Sequence, residues 1–145
     1  MNIARRLRAE VSRTSTVLPV WLEPRLSTRH LSILDVRPSY RAGHLPGAVA
    51  LDVDQLFDGA GNIVTAPEVA LVMSRLGVGD EDTIVLVDEG PPQRALAAAS
   101  VLTRYGHPDV YVLDGGHTRW AAEGRTITRD VPRRPAASFT ARASL

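Results

Sequence analysis

The chain has 145 residues, of which 44% are hydrophobic and 23% charged, a composition typical of one globular domain with a proper core. It contains no cysteine, which excludes disulfides, thiolate metal ligands and a cysteine nucleophile. The formal net charge of +1 conceals an uneven distribution, since residues 31–124 carry thirteen acidic residues against six arginines while both ends are basic. An acidic central region argues against nucleic acid as the main partner. No apolar run reaches the ~20 residues that cross a membrane, and we expect a cytoplasmic protein.

Short runs of β-branched and aliphatic residues, separated by Gly, Pro and Asp, recur along the chain. They predict strands at residues 31–36, 48–52, 83–87 and 110–113, and a short strand or extended entry at residues 17–22 that runs into a helical turn. We expect Trp21, Leu22 and Leu26 to form the buried face of that turn. Residues 1–16, which precede the first strand and are rich in arginine, are predicted to be a flexible extension.

Helical patterns alternate with these strands. Thr65 and Glu68 form a capping box that opens a helix running to about Leu76. A second helix is predicted from about Arg94 to about Tyr105, and a third over residues 118–123. The alternation predicts an α/β domain over residues 17–128, with three layers and a mainly parallel sheet of four or five strands flanked by helices. Residues 129–145 are predicted to be an extended tail rich in proline and arginine.

The strand at residues 83–87 is the natural place to look for a site, because ligands of parallel sheets bind at the carboxyl ends of strands. A Gly-Pro-Pro loop follows it and leads into an Ala-rich helix, whose first N–H groups favour an anion. The loop offers no cysteine, serine or threonine as a nucleophile. Where the strand ends, it places Asp88 and Glu89 instead.

Two motifs in register resemble the signatures of rhodanese-homology domains. The first is Leu-Asp-Val-Arg at residues 34–37, then Tyr40, then Gly-His-Leu-Pro-Gly-Ala at residues 43–48. The second is Val-Leu-Asp-Gly-Gly at residues 112–116, followed by Trp120. The similarity extends over roughly residues 17–142. Its structural signature residues are His44, Gly47, Gly115, Gly116 and Trp120.

The resemblance implies a rhodanese fold and a sulfurtransferase ancestry. Active members of that family carry a cysteine directly after the strand that here ends at Val87, and this cysteine takes sulfane sulfur from thiosulfate as a persulfide. Asp88 stands at that position here. The chain is most similar to the cysteine-free N-terminal half of tandem thiosulfate and mercaptopyruvate sulfurtransferases, in which a second domain supplies the cysteine.

Asp88 cannot accept and release sulfane sulfur, so we expect a vestigial active-site loop that caps itself. That loop comprises Asp88, Glu89, Gly90, Pro91, Pro92, Gln93 and Arg94. The first hypothesis is an inactive module with a structural, regulatory or protein-interaction role. The alternative is a thiosulfate sulfurtransferase component that works with a separate cysteine-bearing rhodanese domain. A third hypothesis is a regulatory domain that binds a small anion at the helix N-terminus.

The remaining polar residues predict structure rather than chemistry. Asp35 and Arg37 could line the pocket rim, and an ion pair fixing the strand end is the simpler interpretation. His44 is predicted to be a hydrogen-bonded structural histidine, and residues 80–82 a solvated acidic turn. Asp52 and Asp54 lack a visible nucleophile or metal partner. The four histidines show no metal-ligand spacing, so we expect neither a metal nor a cofactor.

Overall fold

A computed structural model of the protein describes residues 16–142. Residues 1–15, which make up nearly all of the predicted N-terminal extension, and residues 143–145 of the predicted tail lie outside the described part. In that part, no helix is long and apolar enough to cross a membrane.

Five parallel strands form one sheet, which confirms the predicted α/β class. The strands are β1 (Thr16–Val17), β2 (Leu31–Asp35), β3 (Val49–Ala50), β4 (Thr83–Val87) and β5 (Val110–Leu113). Their order across the sheet is β1-β5-β4-β2-β3, and every pair is parallel. β4 therefore lies at the centre, and β1 and β3 form the two edges.

Four helices cover the two faces of this sheet. They are α1 (Pro19–Leu22), α2 (Ala66–Arg75), α3 (Gln93–Arg104) and α4 (Gly116–Ala122). The larger core joins one face of the sheet to α2 and α3, and the smaller core joins the other face to α1 and α4. Along β4, Ile84 and Leu86 belong to the larger core, while Val85 and Val87 belong to the smaller. All four are completely buried, as a continuous apolar run in a doubly covered strand requires.

The start of α2 follows the predicted capping box. The Thr65 side chain accepts from the third residue of the helix, while the Glu68 carboxylate accepts the Thr65 N–H at 2.9 Å. Two of the N–H groups at the helix start, which have no intrahelical partner, are satisfied in this way.

The predicted burial of Trp21 is wrong. Leu22 is completely buried in the smaller core and Leu26 half-buried, but Trp21 is 36% exposed. In the single turn of α1, Pro19 and Leu22 lie three residues apart on the buried side, so Trp21 falls on the exposed side. The Trp21 ring lies instead on the surface under the Arg25 guanidinium, 4.5 Å from its centroid.

Element boundaries differ from prediction where a cap or turn shortens or extends a segment. The strand predicted over residues 48–52 is only Val49–Ala50, since Asp52 caps a 3-10 turn by accepting the Asp54 N–H at 3.0 Å. The helix predicted to begin at residue 118 begins at Gly116, because Gly115 is its left-handed N-cap. The helix predicted from about Arg94 begins one residue earlier, with Pro92 as its N-cap.

Asp82 corrects the prediction of a solvated acidic turn. Its carboxylate is buried, accepts hydrogen bonds from Ser32 Oγ at 2.6 Å and the Gly79 N–H at 3.0 Å, and lies 3.5 Å from the Arg134 guanidinium. Burial alone would raise the pKa of Asp82, but these hydrogen bonds and that charge lower it. The turn at residues 80–82 therefore joins α2 to β4 and also binds a segment that lies far along the chain.

The distant segment is residues 125–142, called here the C-terminal strap. It contains no helix or strand, and a single antiparallel bridge pairs Thr128 with His44. Hydrogen bonds tie it to the end of α2 through Ser74 and to the turn after it through Asp80. Its Phe139 ring is only 6% exposed and belongs to the larger core. The strap therefore completes the core that α2 and α3 begin.

Candidate functional site

Asp88 ends the central strand with its side chain turned into the loop before α3. It is 3% exposed. Its Oδ1 accepts the Glu89 N–H at 2.8 Å and its Oδ2 accepts the Ala95 N–H at 2.9 Å. Ala95 is the third residue of α3, so the carboxylate satisfies one of the orphan donors at that helix end. An anionic side chain here is also favoured by the helix dipole.

The backbone of the same loop lies against the start of α4. Carbonyl oxygens of Asp88 and Glu89 accept the N–H groups of His117 and Thr118, both at 2.8 Å. Gly116 makes this approach possible, since a Cβ there would clash with the Asp88 carbonyl and lie 2.7 Å from the Glu89 carbonyl oxygen. The signature glycine pair thus allows two loops to touch, and the first N–H groups of α4 are used by the protein itself.

Arg37 links the first signature to the loop. Its guanidinium donates to both oxygens of Asp35 at 2.9–3.2 Å, to the Gly43 carbonyl at 2.6 Å and to Glu89 Oε1 at 2.9 Å. Ser39 Oγ donates to the same Glu89 oxygen at 3.1 Å. Burial works against the charge of Arg37, but its hydrogen bonds to Asp35 and Glu89 raise its pKa. The predicted Asp35–Arg37 pair is present, and it extends across to Glu89.

His117 lies beside this network, although no pattern in the sequence indicates a role for it. Burial lowers its pKa, and the nearby Arg37 charge lowers it further. Its Nε2 is buried without a hydrogen-bond partner among residues 16–142. A neutral ring is the form that this environment favours. The one signal in the sequence was its position directly after the second glycine of the signature pair.

His44 is completely buried and connects the signature loop to the C-terminal strap. Its Nδ1 lies 2.8 Å from the Tyr40 carbonyl oxygen and its Nε2 2.6 Å from the Asp130 carbonyl oxygen. A neutral imidazole has one N–H and can donate to only one of them. The ring stacks on Tyr40 with centroids 3.8 Å apart. These contacts agree with the structural histidine that the sequence predicted.

Two further signature residues, Trp120 and Gly47, have structural roles. Trp120 is completely buried and donates its Nε1–H to the Thr126 carbonyl at 2.8 Å. Gly47 has φ +85°, a conformation that glycine tolerates best. Within residues 16–142, no three His, Asp or Glu side chains are placed to hold a metal ion.

A cleft of about 680 Å³ opens beside the N-terminus of α3, next to the carboxyl ends of β2 and β3. Its charged lining comprises Arg37, Arg41, Asp52, Asp54 and Arg94. Asp52 and Asp54 therefore face this cleft, and Asp88 and Glu89 do not line it. The buried aspartate and the open cleft are separate parts of the region.

Comparison with known proteins gives the same family along most of the chain. A family profile described as "Rhodanese-like domain" matches residues 18–123. A thiosulfate sulfurtransferase of Corynebacterium glutamicum is 32% identical over 124 residues, covering 82% of this chain and 41% of that protein. The sulfur carrier protein TtuD of Thermus thermophilus is 31% identical over 120 residues, covering 79% of this chain and 42% of that protein. The chain thus spans less than half the length of these relatives.

Among solved structures, the fold is similar to that of the 3-mercaptopyruvate sulfotransferase SseA from Escherichia coli. The TM-score is 0.77 at 24% identity, over 90% of this chain and 56% of that one. A 3-mercaptopyruvate sulfurtransferase from Leishmania major gives a TM-score of 0.75 at 20% identity, over 90% and 41%. At these identities the likeness concerns the fold.

Proposed function

The chain belongs to the rhodanese-like domain family, and from that premise we propose that it is a catalytically silent member acting as a protein-interaction or structural module. The observation that carries this proposal is the buried Asp88 carboxylate directly after the central strand, at the position that the sequence resemblance assigns to the cysteine of active members. It is buried and already accepts the two N–H groups that bind it.

The chemistry of sulfur transfer explains why an aspartate cannot replace the cysteine. A cysteine thiolate attacks the sulfane sulfur of thiosulfate, an S–S bond forms, and sulfite leaves with the electrons of the bond that breaks. The reaction therefore needs a polarisable thiolate. A carboxylate oxygen gives no such stable adduct, and two carboxylates at this loop repel a dianion.

Incubation with thiosulfate tests the proposal. We expect no gain of sulfur in the intact mass and no thiocyanate above the buffer control when cyanide is added. A cysteine-bearing rhodanese-like domain run in parallel shows that the assay works. A mass increase of one sulfur atom, or thiocyanate production that grows with protein concentration, would exclude a silent module.

A second candidate function is a sulfurtransferase component completed by a cysteine-bearing rhodanese-like domain. It is favoured by the relatives, which are more than twice as long as the part that this chain matches. It is also favoured by three exposed apolar side chains, Leu18, Val20 and Trp21, close together near the start of the described chain. Binding of a partner domain would bury these apolar side chains.

Mixing experiments separate the two candidates. A cysteine-bearing domain encoded beside this chain should co-purify with it, and thiocyanate production by the pair should exceed that of the domain alone. Binding should also change the fluorescence of exposed Trp21, and a Trp21→Phe variant identifies that signal because Trp120 is buried. If the two proteins elute separately and the partner's rate is unchanged, this candidate fails.

A further inference from the structure

Four arginines converge on a cleft at the β3 edge of the sheet, away from the Asp88 loop. This arginine cleft measures about 550 Å³, and its basic lining comprises Arg41, Arg75, Arg129 and Arg134. No acidic residue lines it. The remaining lining is mostly apolar and includes Val49, Leu76 and Val131. The cleft therefore has a positive rim and an apolar floor.

Three of the four guanidinium groups have no acidic partner among residues 16–142. Arg41 and Arg75 are exposed and form no ion pair with another residue of the described range 16–142. Arg129 has one long contact, from Nε to the Ala42 carbonyl at 3.4 Å. Arg134 differs, since it donates to Ser32 Oγ at 2.9 Å and lies near Asp82. Arg134 is therefore held in place, whereas no acidic side chain between residues 16 and 142 pairs with Arg41, Arg75 or Arg129.

The sequence does not reveal this cleft, because its arginines come from separate parts of the chain. Arg41 lies in the first signature and Arg75 in the last turn of α2, within the acidic central region. Arg129 and Arg134 arrive with the C-terminal strap. The fold thus concentrates positive charge on one edge of a body whose residues 31–124 carry an excess of acidic groups.

The lining also restricts what can occupy the cleft. Guanidinium groups suit carboxylates, with which they form bidentate pairs. An apolar floor suits apolar side chains, which a phosphate backbone lacks. β3 pairs on one side only, with β2, so an extended chain can lie along this edge. Residues 1–15 are a poor fit, because they carry four arginines and one glutamate.

We propose that the arginine cleft binds an extended acidic segment of a partner protein, in which glutamate or aspartate alternates with apolar residues. The acidic side chains pair with Arg41, Arg75 and Arg129, and the apolar ones pack on the floor between Val49, Leu76 and Val131. The inference rests on the proposed function in that it names the kind of partner an interaction module recognises.

The test uses the full chain and a short fluorescein-labelled peptide in which glutamate alternates with leucine. Fluorescence anisotropy should show saturable binding that weakens as sodium chloride rises. The double variant Arg75→Glu, Arg129→Glu should bind at least about tenfold more weakly. The matched control is Arg104→Glu, Arg29→Glu, which makes the same change of net charge and also alters the last turn of a helix. It should bind within about twofold of the unaltered protein.

Circular dichroism and thermal melting establish that both variants are folded. If Arg75→Glu, Arg129→Glu does not fold, the pair Arg41→Gln, Arg75→Gln removes two positive charges from the same cleft without adding negative ones, and it should still weaken binding. Hydrogen exchange supplies an independent readout, since the bound peptide should protect the backbone near β3 and residues 129–132.

Three results would overturn the inference. One is equal binding by the cleft variant and the matched control. Another is equally tight binding of a peptide with glutamine in place of glutamate. The third is tighter binding of an oligodeoxythymidylate through the same arginines, which would make the cleft a nucleic-acid site. The binding experiments use no thiosulfate. A negative result here would therefore exclude the peptide site without bearing on whether the protein is catalytically silent.

Discussion

At the residue scale, the Asp88 side chain serves the structure of the loop that follows the central strand. Its two hydrogen bonds replace those that a helix cap would supply, across a separation of seven residues to Ala95. The residue is held at the carboxyl end of the central strand, where a nucleophile would be best placed. Its side-chain oxygens occupy the N–H groups of Glu89 and Ala95, which could otherwise bind an external anion.

Replacing this carboxylate should cost stability. We expect Asp88→Ala to lower the free energy of unfolding by about 1–2 kcal/mol, because the Ala95 and Glu89 N–H groups lose their acceptor. Urea denaturation measures the change, with Asp109→Ala as the control on an exposed aspartate. Equal stability of the two variants would show that the loop amides find other acceptors.

Glu89 gives a prediction about pH. The hydrogen bond from Arg37, assisted by Ser39, holds the pKa of Glu89 below its ordinary value. A lowered folded-state pKa stabilises the protein above the unfolded-state value near 4.5, and the contribution disappears as pH falls through the folded value. Because Glu89 is about half exposed, we expect only ~0.5 kcal/mol from the charge.

The Glu89→Gln variant isolates that charge, since the amide oxygen still accepts from Arg37. Its free energy of unfolding should fall below that of the unaltered protein at pH 7, and the two should converge as the pH falls below 4.5 and through the lowered folded-state pKa of Glu89. Urea denaturation at several pH values measures this, with Asp109→Asn as control. A difference that persists unchanged in acid would assign the effect to shape rather than charge.

At the element scale, the start of α4 and the loop after β4 depend on each other through glycine. Gly116 and Gly124 both have positive φ, +59° and +72°. They differ in surroundings, because a Cβ at Gly116 meets the Asp88 and Glu89 carbonyls, whereas at Gly124 nothing lies within 4 Å. Substituting each glycine by alanine therefore separates two contributions to the loss of stability, backbone strain and the clash of the new Cβ with the loop.

We expect Gly124→Ala to cost about 1 kcal/mol from backbone strain alone. Gly116→Ala should cost roughly 3 kcal/mol or more, since the loop carbonyls must move as well. Thermal or urea unfolding of the two variants measures the difference. Similar costs would mean that the loop shifts freely, which would contradict a rigid contact between the two elements.

Much of the element scale was predictable from local pattern. The continuous apolar run of β4, the capping box of α2 and the position of Asp88 were all readable without the structure. What escaped prediction depends on contacts between distant residues. Arg37 meets Glu89 across 52 positions, and Asp82 becomes buried because Ser32 and Arg134 reach it from opposite directions along the chain.

At the scale of the whole molecule, the C-terminal strap connects the signature loop at His44 with the end of α2 at Ser74. It was predicted as an extended tail, and no local pattern indicated that its single aromatic residue would be buried. Phe139 packs in the larger core and stacks on His107 with centroids 5.3 Å apart. His107 in turn lies 2.6 Å from the Asp82 carbonyl oxygen.

Truncating Phe139 should therefore act as a core mutation. We expect Phe139→Ala to lower the free energy of unfolding by about 3 kcal/mol or more. The control is Val131→Ala in the same strap, where the side chain is 65% exposed and the expected change is within about 0.5 kcal/mol. Denaturant unfolding measures both, and comparable small effects would show that the strap merely rests on the surface.

The buried Phe139 also bears on how the protein is made. A chain emerges from the ribosome in order, so β2, α2, β4 and α3 are all available before residue 139 leaves the tunnel. Until then the larger core has one open side, and apolar groups of α2 and α3 face the solvent there. The time that residue 139 takes to follow α3 out of the ribosome therefore sets how long this side of the larger core stays uncovered.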